Sequence, residues 1–209
     1  MNQKIVAEPL QKIIDNFKSL PGIGEKTAQK LAFFSVKQSE DFLGEFGKNF
    51  SDLKKNITEC EKCCNFTEKN PNEEKNFCEF CKKIGRDEKI LCVVENPFDI
   101  FPIEKSGIFK GFYHILHGVI SPIDGIFAEN LRIGKLLERL KNENFEEIIL
   151  AINPSLEGEA TAIYISRKIQ EMGVSVKITA LAKGISVGGD LEYTDELTVK
   201  KSLENRVNV

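Results

Sequence analysis

Cys60 and Cys63, and Cys78 and Cys81, are two cysteine pairs with two residues inside each and 14 residues between them. Four thiolates in two such knuckles suit a tetrahedral structural zinc site, one ion per chain. With four protein thiolates the site is closed, so a catalytic zinc with an open position is not expected. The polar insert between the pairs has no core of its own, and metal binding would supply much of its folding energy. Cys64 competes with Cys63 as a ligand, but a Cys60–Cys64 pair would break the symmetry with the second knuckle. Cys92 falls in an apolar run and reads as a buried hydrophobe.

A second set of residues suits phosphate. Leu20-Pro21-Gly22-Ile23-Gly24 lies between two helical patterns. Gly22 and Gly24 allow a tight turn and leave backbone N–H groups open at the start of the next helix. Such an end attracts phosphate. Ile23 is expected to point inward and pin the two helices. Lys26 and Lys30, four apart, share one face of the second helix. Residues 12–37 carry a net charge of +3, against −3 for the whole chain. Contacts of this kind hold a nucleic-acid backbone without reading its bases. A GxG between helices also occurs as a plain corner with a glycine cap.

A third set is acidic. Glu95 ends one strand-like run, and Asn153 ends another and opens Asn153-Pro154-Ser155-Leu156-Glu157-Gly158-Glu159. Functional groups collect at the carboxyl ends of strands in open parallel sheets. Acids there can hold Mg²⁺ for phosphoryl chemistry. Glu157 and Glu159 also suit a helix N-terminus, where negative charge is favoured by the dipole.

The elements that position these residues follow from periodicity. Leu10, Ile13, Ile14 and Phe17, then Ala28, Leu31, Ala32 and Ser35, recur at helical spacing, and a further helical stretch runs through Phe42, Phe46, Phe50 and Leu53. Residues 89–95, 112–117, 147–153 and 174–181 read as buried strands, and 131–141 and 159–171 as amphipathic helices. Strand and helix in alternation imply crossovers and a parallel sheet covered by helices. The tail from Gly184 is glycine-rich and then helical. This gives an α/β chain with a helical region (1–56), a cysteine finger (57–85), an α/β domain (89–184) and a C-terminal extension (185–209).

With 209 residues, 41% hydrophobic and 29% charged, the chain can bury a core, which excludes disorder as its main state. No apolar run approaches a membrane span, and the N-terminus lacks the apolar core of a secretory signal, so a cytoplasmic, reducing address is expected. The net charge of −3 excludes a strongly basic nucleic-acid binder, so DNA would meet a local surface or several copies of one.

The chain resembles the RecR family of bacterial recombination mediators along essentially its full length. The resemblance rests on LPGIGEKTAQKLAFF (20–34), the paired knuckles, LCVVENPFDIFPIEKSG (91–107), YHILHGVISPIDGI (113–126), LAINPSLEGEATAIYISRKI (150–169) and ALAKGISVGGDLEYTDELT (180–198). It implies a helix-hairpin-helix, a four-cysteine zinc finger, a Toprim domain and a C-terminal extension with a Walker-B-like segment. It implies a DNA-binding, non-enzymatic role in recombinational DNA repair with RecO and RecF. It also implies a homo-oligomer, tetramer or dimer, in which protomers form a ring that encircles DNA. The family's basic hairpin positions map onto Lys26 and Lys30, and its zinc ligands onto Cys60, Cys63, Cys78 and Cys81.

Two departures stand out. The insert between the knuckles is longer than the family's usual spacing. Catalytic Toprim domains carry a DxDxEGE-like motif, and Asn153 and Ser155 stand where that motif has two of its metal-binding acids. Two alternatives stay open on the sequence. One is a Toprim-type metal-dependent phosphoryl-transfer enzyme, a nuclease or primase, using Glu95, Glu157 and Glu159. The other is a zinc-stabilised adaptor that binds only proteins. On the leading reading those three acids form a surface for a partner or a weakly held metal.

Overall fold

The computed structural model describes residues 6–207, which form two compact units, one up to Asn56 and one from Ile57. The first unit is helical. Helix α1 (Glu8–Lys18) and helix α2 (Glu25–Val36) form a hairpin, followed by α3 (Glu40–Asn56). A small core of Ile14, Ala28 and Ala32 joins α1 to α2, with Leu10, Phe17 and Ile23 packed on it. The alanines let the helices approach closely, and Ile23 does pin them, as its place between the glycines suggests. None of the residues of α3 is buried, and Phe42, Phe46 and Phe50 stack along it with ring centroids 6.2 and 5.1 Å apart.

The second unit opens with a short antiparallel hairpin, β1 (Ile57–Glu59) and β2 (Phe66–Glu68), and a one-turn helix α4 (Glu79–Lys82). The α/β part then runs β3 (Asp87–Val94), α5 (Ile100–Ser106), β4 (Gly111–Ile115), α6 (Ile133–Asn142), β5 (Glu147–Ala151), α7 (Leu156–Glu171) and β6 (Lys177–Ala180), and α8 (Glu196–Glu204) closes the chain. The four strands form one parallel sheet in the order β4-β3-β5-β6. Their apolar runs are continuous because helices and connections cover the sheet. Leu91, Val93, Ile148 and Leu150 pack with Leu136, Leu140, Ile165 and Ile169 from α6 and α7. Cys92, Val94, Tyr113, Ile115 and Ala151 form a second core shared with the finger cysteines and Ile100 of α5.

Strands β4, β5 and β6 are shorter than the apolar runs suggest, whereas β3 starts two residues earlier, at Asp87. β4 stops at Ile115, and His117 beyond it has φ +62°, a left-handed turn that leaves the ladder. Helix α7 begins at Leu156, three residues before the periodic pattern alone indicates, because the Ser155 hydroxyl caps it by accepting from the Gly158 N–H at 3.0 Å. No helix among the described residues is long and apolar enough to cross a membrane.

Candidate metal centre and nucleic-acid interface

The four knuckle cysteines meet. The Sγ atoms of Cys60, Cys63, Cys78 and Cys81 lie within 4.8 Å of one another, and the first three residues are buried. Cys63 and Cys78 sulfurs are 3.4 Å apart. A zinc with four sulfurs at about 2.3 Å needs a tetrahedron with edges of about 3.8 Å, a length that lies between the 3.4 Å pair and the 4.8 Å limit of the set, so the four sulfurs suit zinc. The local backbone is built to hold it. Cys64 N–H donates to the Cys60 carbonyl at 2.9 Å, Cys81 N–H to the Cys78 carbonyl at 2.9 Å, and Asn65 N–H to the Cys63 sulfur at 3.4 Å. An N–H aimed at a sulfur favours its thiolate. Hydrogen bonds donated by the other three cysteines hold the Cys60 thiol below its ordinary value. A zinc here would replace these protons and supply folding energy, with no position left for a substrate. Cys64 stands apart from the cluster, its thiol pushed up to about 11 by burial. Cys92 lies buried in β3, its thiol raised to about 12 for the same reason.

The finger is fastened to the sheet. Glu59, next to the first ligand, accepts from Arg132 Nη2 at 2.5 Å and Nε at 2.9 Å. Ile115 N–H at the end of β4 donates to the Cys63 carbonyl at 2.9 Å. His117 Nε2 donates to the Cys64 carbonyl at 2.6 Å, and its ring packs on Phe66 at 5.1 Å. On the far side of the finger, Arg86 lies over the Phe80 and Tyr113 rings and donates to the Gly111 carbonyl and to Glu104, each at 2.7 Å. None of Glu59, Arg86, His117 or Arg132 stands out in the sequence, because their partners lie 18 to 73 residues away. His114, buried in β4, donates from Nε2 to the Arg132 carbonyl and leaves Nδ1 without a partner. Burial holds it neutral, with a pKa of about 4.

In the hairpin, Gly22 takes φ +79°, open to glycine without strain, and Gly24 stands at the N-cap of α2. No side chain caps that end, so its first N–H groups remain available. Glu25 would oppose an anion there, but Lys18 pairs with it. Lys26 and Lys30 are exposed on α2.

The acidic set is arranged otherwise. β3 and β5 are neighbours whose connections leave in opposite directions, so Glu95 and Asn153 sit at the switch point of the sheet. Asn153 Nδ2 donates to Glu95 Oε2 at 2.9 Å, and Asn96 Nδ2 donates to Oε1 at 3.1 Å. Glu159 pairs with Lys183 at 2.5 Å, which lowers its carboxyl below the ordinary range. Glu157 is exposed in the first turn of α7. Among the described residues, the four cysteines are the one group of three or more metal-ligating side chains that converges. Gly158 between the two acids is buried because α7 lies against the Asn153 turn, where a Cβ would strike the Asn153 carbonyl.

Residues 89–180, which hold this parallel sheet and the acid at its switch point, match the model of the Toprim domain, so this is a Toprim-type protein. Residues 10–44 match the RecR helix-hairpin-helix and residues 184–207 the RecR C-terminal region. The recombination proteins RecR of Staphylococcus aureus strains Newman, COL and JH9 are each 48% identical to this chain over 202 residues, covering 97% of it and 98% of theirs. The chain belongs to the RecR family.

Proposed function

We propose that this protein is a non-enzymatic mediator of recombinational DNA repair that holds DNA by its backbone, acts with RecO and RecF in the bacterial cytoplasm, and works as a ring-forming homo-oligomer. The observation that carries the reading is the α1–α2 hairpin. Its uncapped helix end at Gly24, the left-handed Gly22, and exposed Lys26 and Lys30 form a phosphate-binding surface on a chain of otherwise negative charge. One such surface binds weakly, and several on one assembly gain avidity. The exposed phenylalanines of α3 offer an apolar face for a second copy. Zinc at Cys60, Cys63, Cys78 and Cys81 is structural. Glu95, Glu157 and Glu159 form a partner surface.

The switch point supports a role without catalysis. An active site of this type needs carboxylates to hold a divalent ion. Asn153 presents an amide donor to Glu95 instead, and the Ser155 hydroxyl is taken up in capping α7. The test pairs two assays on the purified protein. Duplex binding should weaken steeply with salt and show no sequence preference. Supercoiled, linear and single-stranded DNA should survive incubation with Mg²⁺ and with Mn²⁺. Cleavage that disappears in Glu95→Ala would overturn the reading in favour of an enzyme, and salt-independent or absent DNA binding would favour a protein-only adaptor.

A further inference from the structure

Cys64 and His117 are the two non-glycine residues with left-handed backbone among the described residues, at φ +63° and +62°, and they are bonded to each other. Residues other than glycine avoid this region, so surrounding contacts must hold both in place. Each stands at a junction. Cys64 directly follows a metal ligand. His117 directly precedes Gly118, whose N–H donates to the Glu95 carbonyl at 3.1 Å. Gly118 itself has φ +132° and lies against Leu131.

We infer that His117 is the positioning residue through which a metal at the four-cysteine site fixes the Glu95 end of the sheet. The connection is continuous. A metal locks the Cys60–Cys63 knuckle, and with it the direction of the Cys63 and Cys64 carbonyls. The Cys63 carbonyl takes the Ile115 N–H, and the Cys64 carbonyl takes the His117 imidazole. The His117–Gly118 turn then closes on the Glu95 backbone, and the Glu95 carboxylate meets Asn153. Phe66 of the finger, packed on the imidazole, keeps the ring from swinging away. Metal occupancy in the finger thus sets the order of a surface on the sheet that the metal does not touch. The geometry holds whatever docks on Glu95, so its failure leaves the DNA-mediator reading standing.

His117→Asn isolates the contact, because asparagine tolerates the left-handed turn without the backbone freedom of glycine, and its short side chain removes the imidazole. Hydrogen exchange is followed at Gly118 and at Ile148–Leu150 of β5 in the full chain, for wild type and variant, zinc-loaded and chelated. Cobalt substitution reports whether the four-thiolate site is intact through its sulfur charge-transfer bands. In zinc-loaded protein the variant should keep those bands, exchange Gly118 about fivefold faster than wild type, as loss of one hydrogen bond predicts, and leave β5 unchanged. Chelation should speed Gly118 in wild type and add much less in the variant. Unchanged Gly118 exchange in the loaded variant would overturn the inference. So would acceleration spread equally over β5, which marks general destabilisation. Chelation that leaves Gly118 exchange unchanged in wild type, or speeds it as much in the variant as in wild type, would overturn it as well.

Discussion

Arg132 and Glu59 join the finger to the α/β domain, and the worth of that joint is open to measurement. Arg132→Met keeps most of the side chain's apolar stem and removes two charge-assisted hydrogen bonds, at 2.5 and 2.9 Å. Hydrogen bonds to charged groups contribute about 1.5–3 kcal/mol each, and exposed ion pairs about 0.2–1 kcal/mol. The two side chains are 34% and 27% exposed, between these limits, and Lys135 remains 3.9 Å from Glu59 as a weaker partner. A loss of about 1.5 kcal/mol follows for the single substitution. In a double-mutant cycle with Glu59→Gln, urea unfolding of zinc-loaded protein should return a coupling of about 1 kcal/mol. The guanidinium's hydrogen bonds hold the Glu59 carboxyl below its ordinary value. Its folded pKa is therefore lower than its unfolded one, and the stabilisation is complete above the ordinary carboxylate range and fades as pH falls through the lowered value. A coupling within about 0.3 kcal/mol of zero would refute the argument that this pair fastens the finger.

Metal analysis should return one zinc per chain, and Cys60→Ser should lower both zinc content and stability, since the site closes the finger core rather than a substrate position. Folded protein with no bound metal would remove that assignment. Gly158→Ala should destabilise the domain by about 2 kcal/mol, since a contact this close with backbone costs about 3 kcal/mol and the helix propensity alanine gains returns about 1 kcal/mol. The added Cβ would lie 3.2 Å from Ile152 Cγ2 besides striking the Asn153 carbonyl. Thermal unfolding reads this directly, and an unchanged or raised Tm would show that the α7 end has room.

Much of this was legible in the residues. Knuckle spacing alone marks Cys60, Cys63, Cys78 and Cys81, and the structure brings those four together. The apolar runs mark all four strands, because the central residues of a sheet covered on its faces are mostly apolar, although His114 in β4 and Thr179 in β6 interrupt them. The start of α7 was within reach as well, since Ser155 is a favoured N-cap residue and Glu157 and Glu159 suit a first turn, a signal masked by Pro154 and Gly158, which suggest a turn. The ties between finger and sheet were not legible. His117 to Cys64 spans 53 residues and Arg132 to Glu59 spans 73, and no periodicity or local motif encodes such pairs. The switch-point chemistry lay between these extremes. Asn153 and Ser155 were visible as missing acids, but their roles as a donor to Glu95 and as a helix cap depend on how β5 leads into α7.

The central claim is that the glycine hairpin holds DNA by its phosphates, and the most direct test is binding of several unrelated duplexes by wild type and the Lys26→Ala/Lys30→Ala double variant over a range of salt. Neither lysine is buried, so the variant should fold as wild type does. It should bind every duplex more weakly by a similar factor, and its log–log salt slope should shrink by about two for each hairpin engaged. Affinity and slope equal to wild type, or a loss confined to one sequence, would contradict the account.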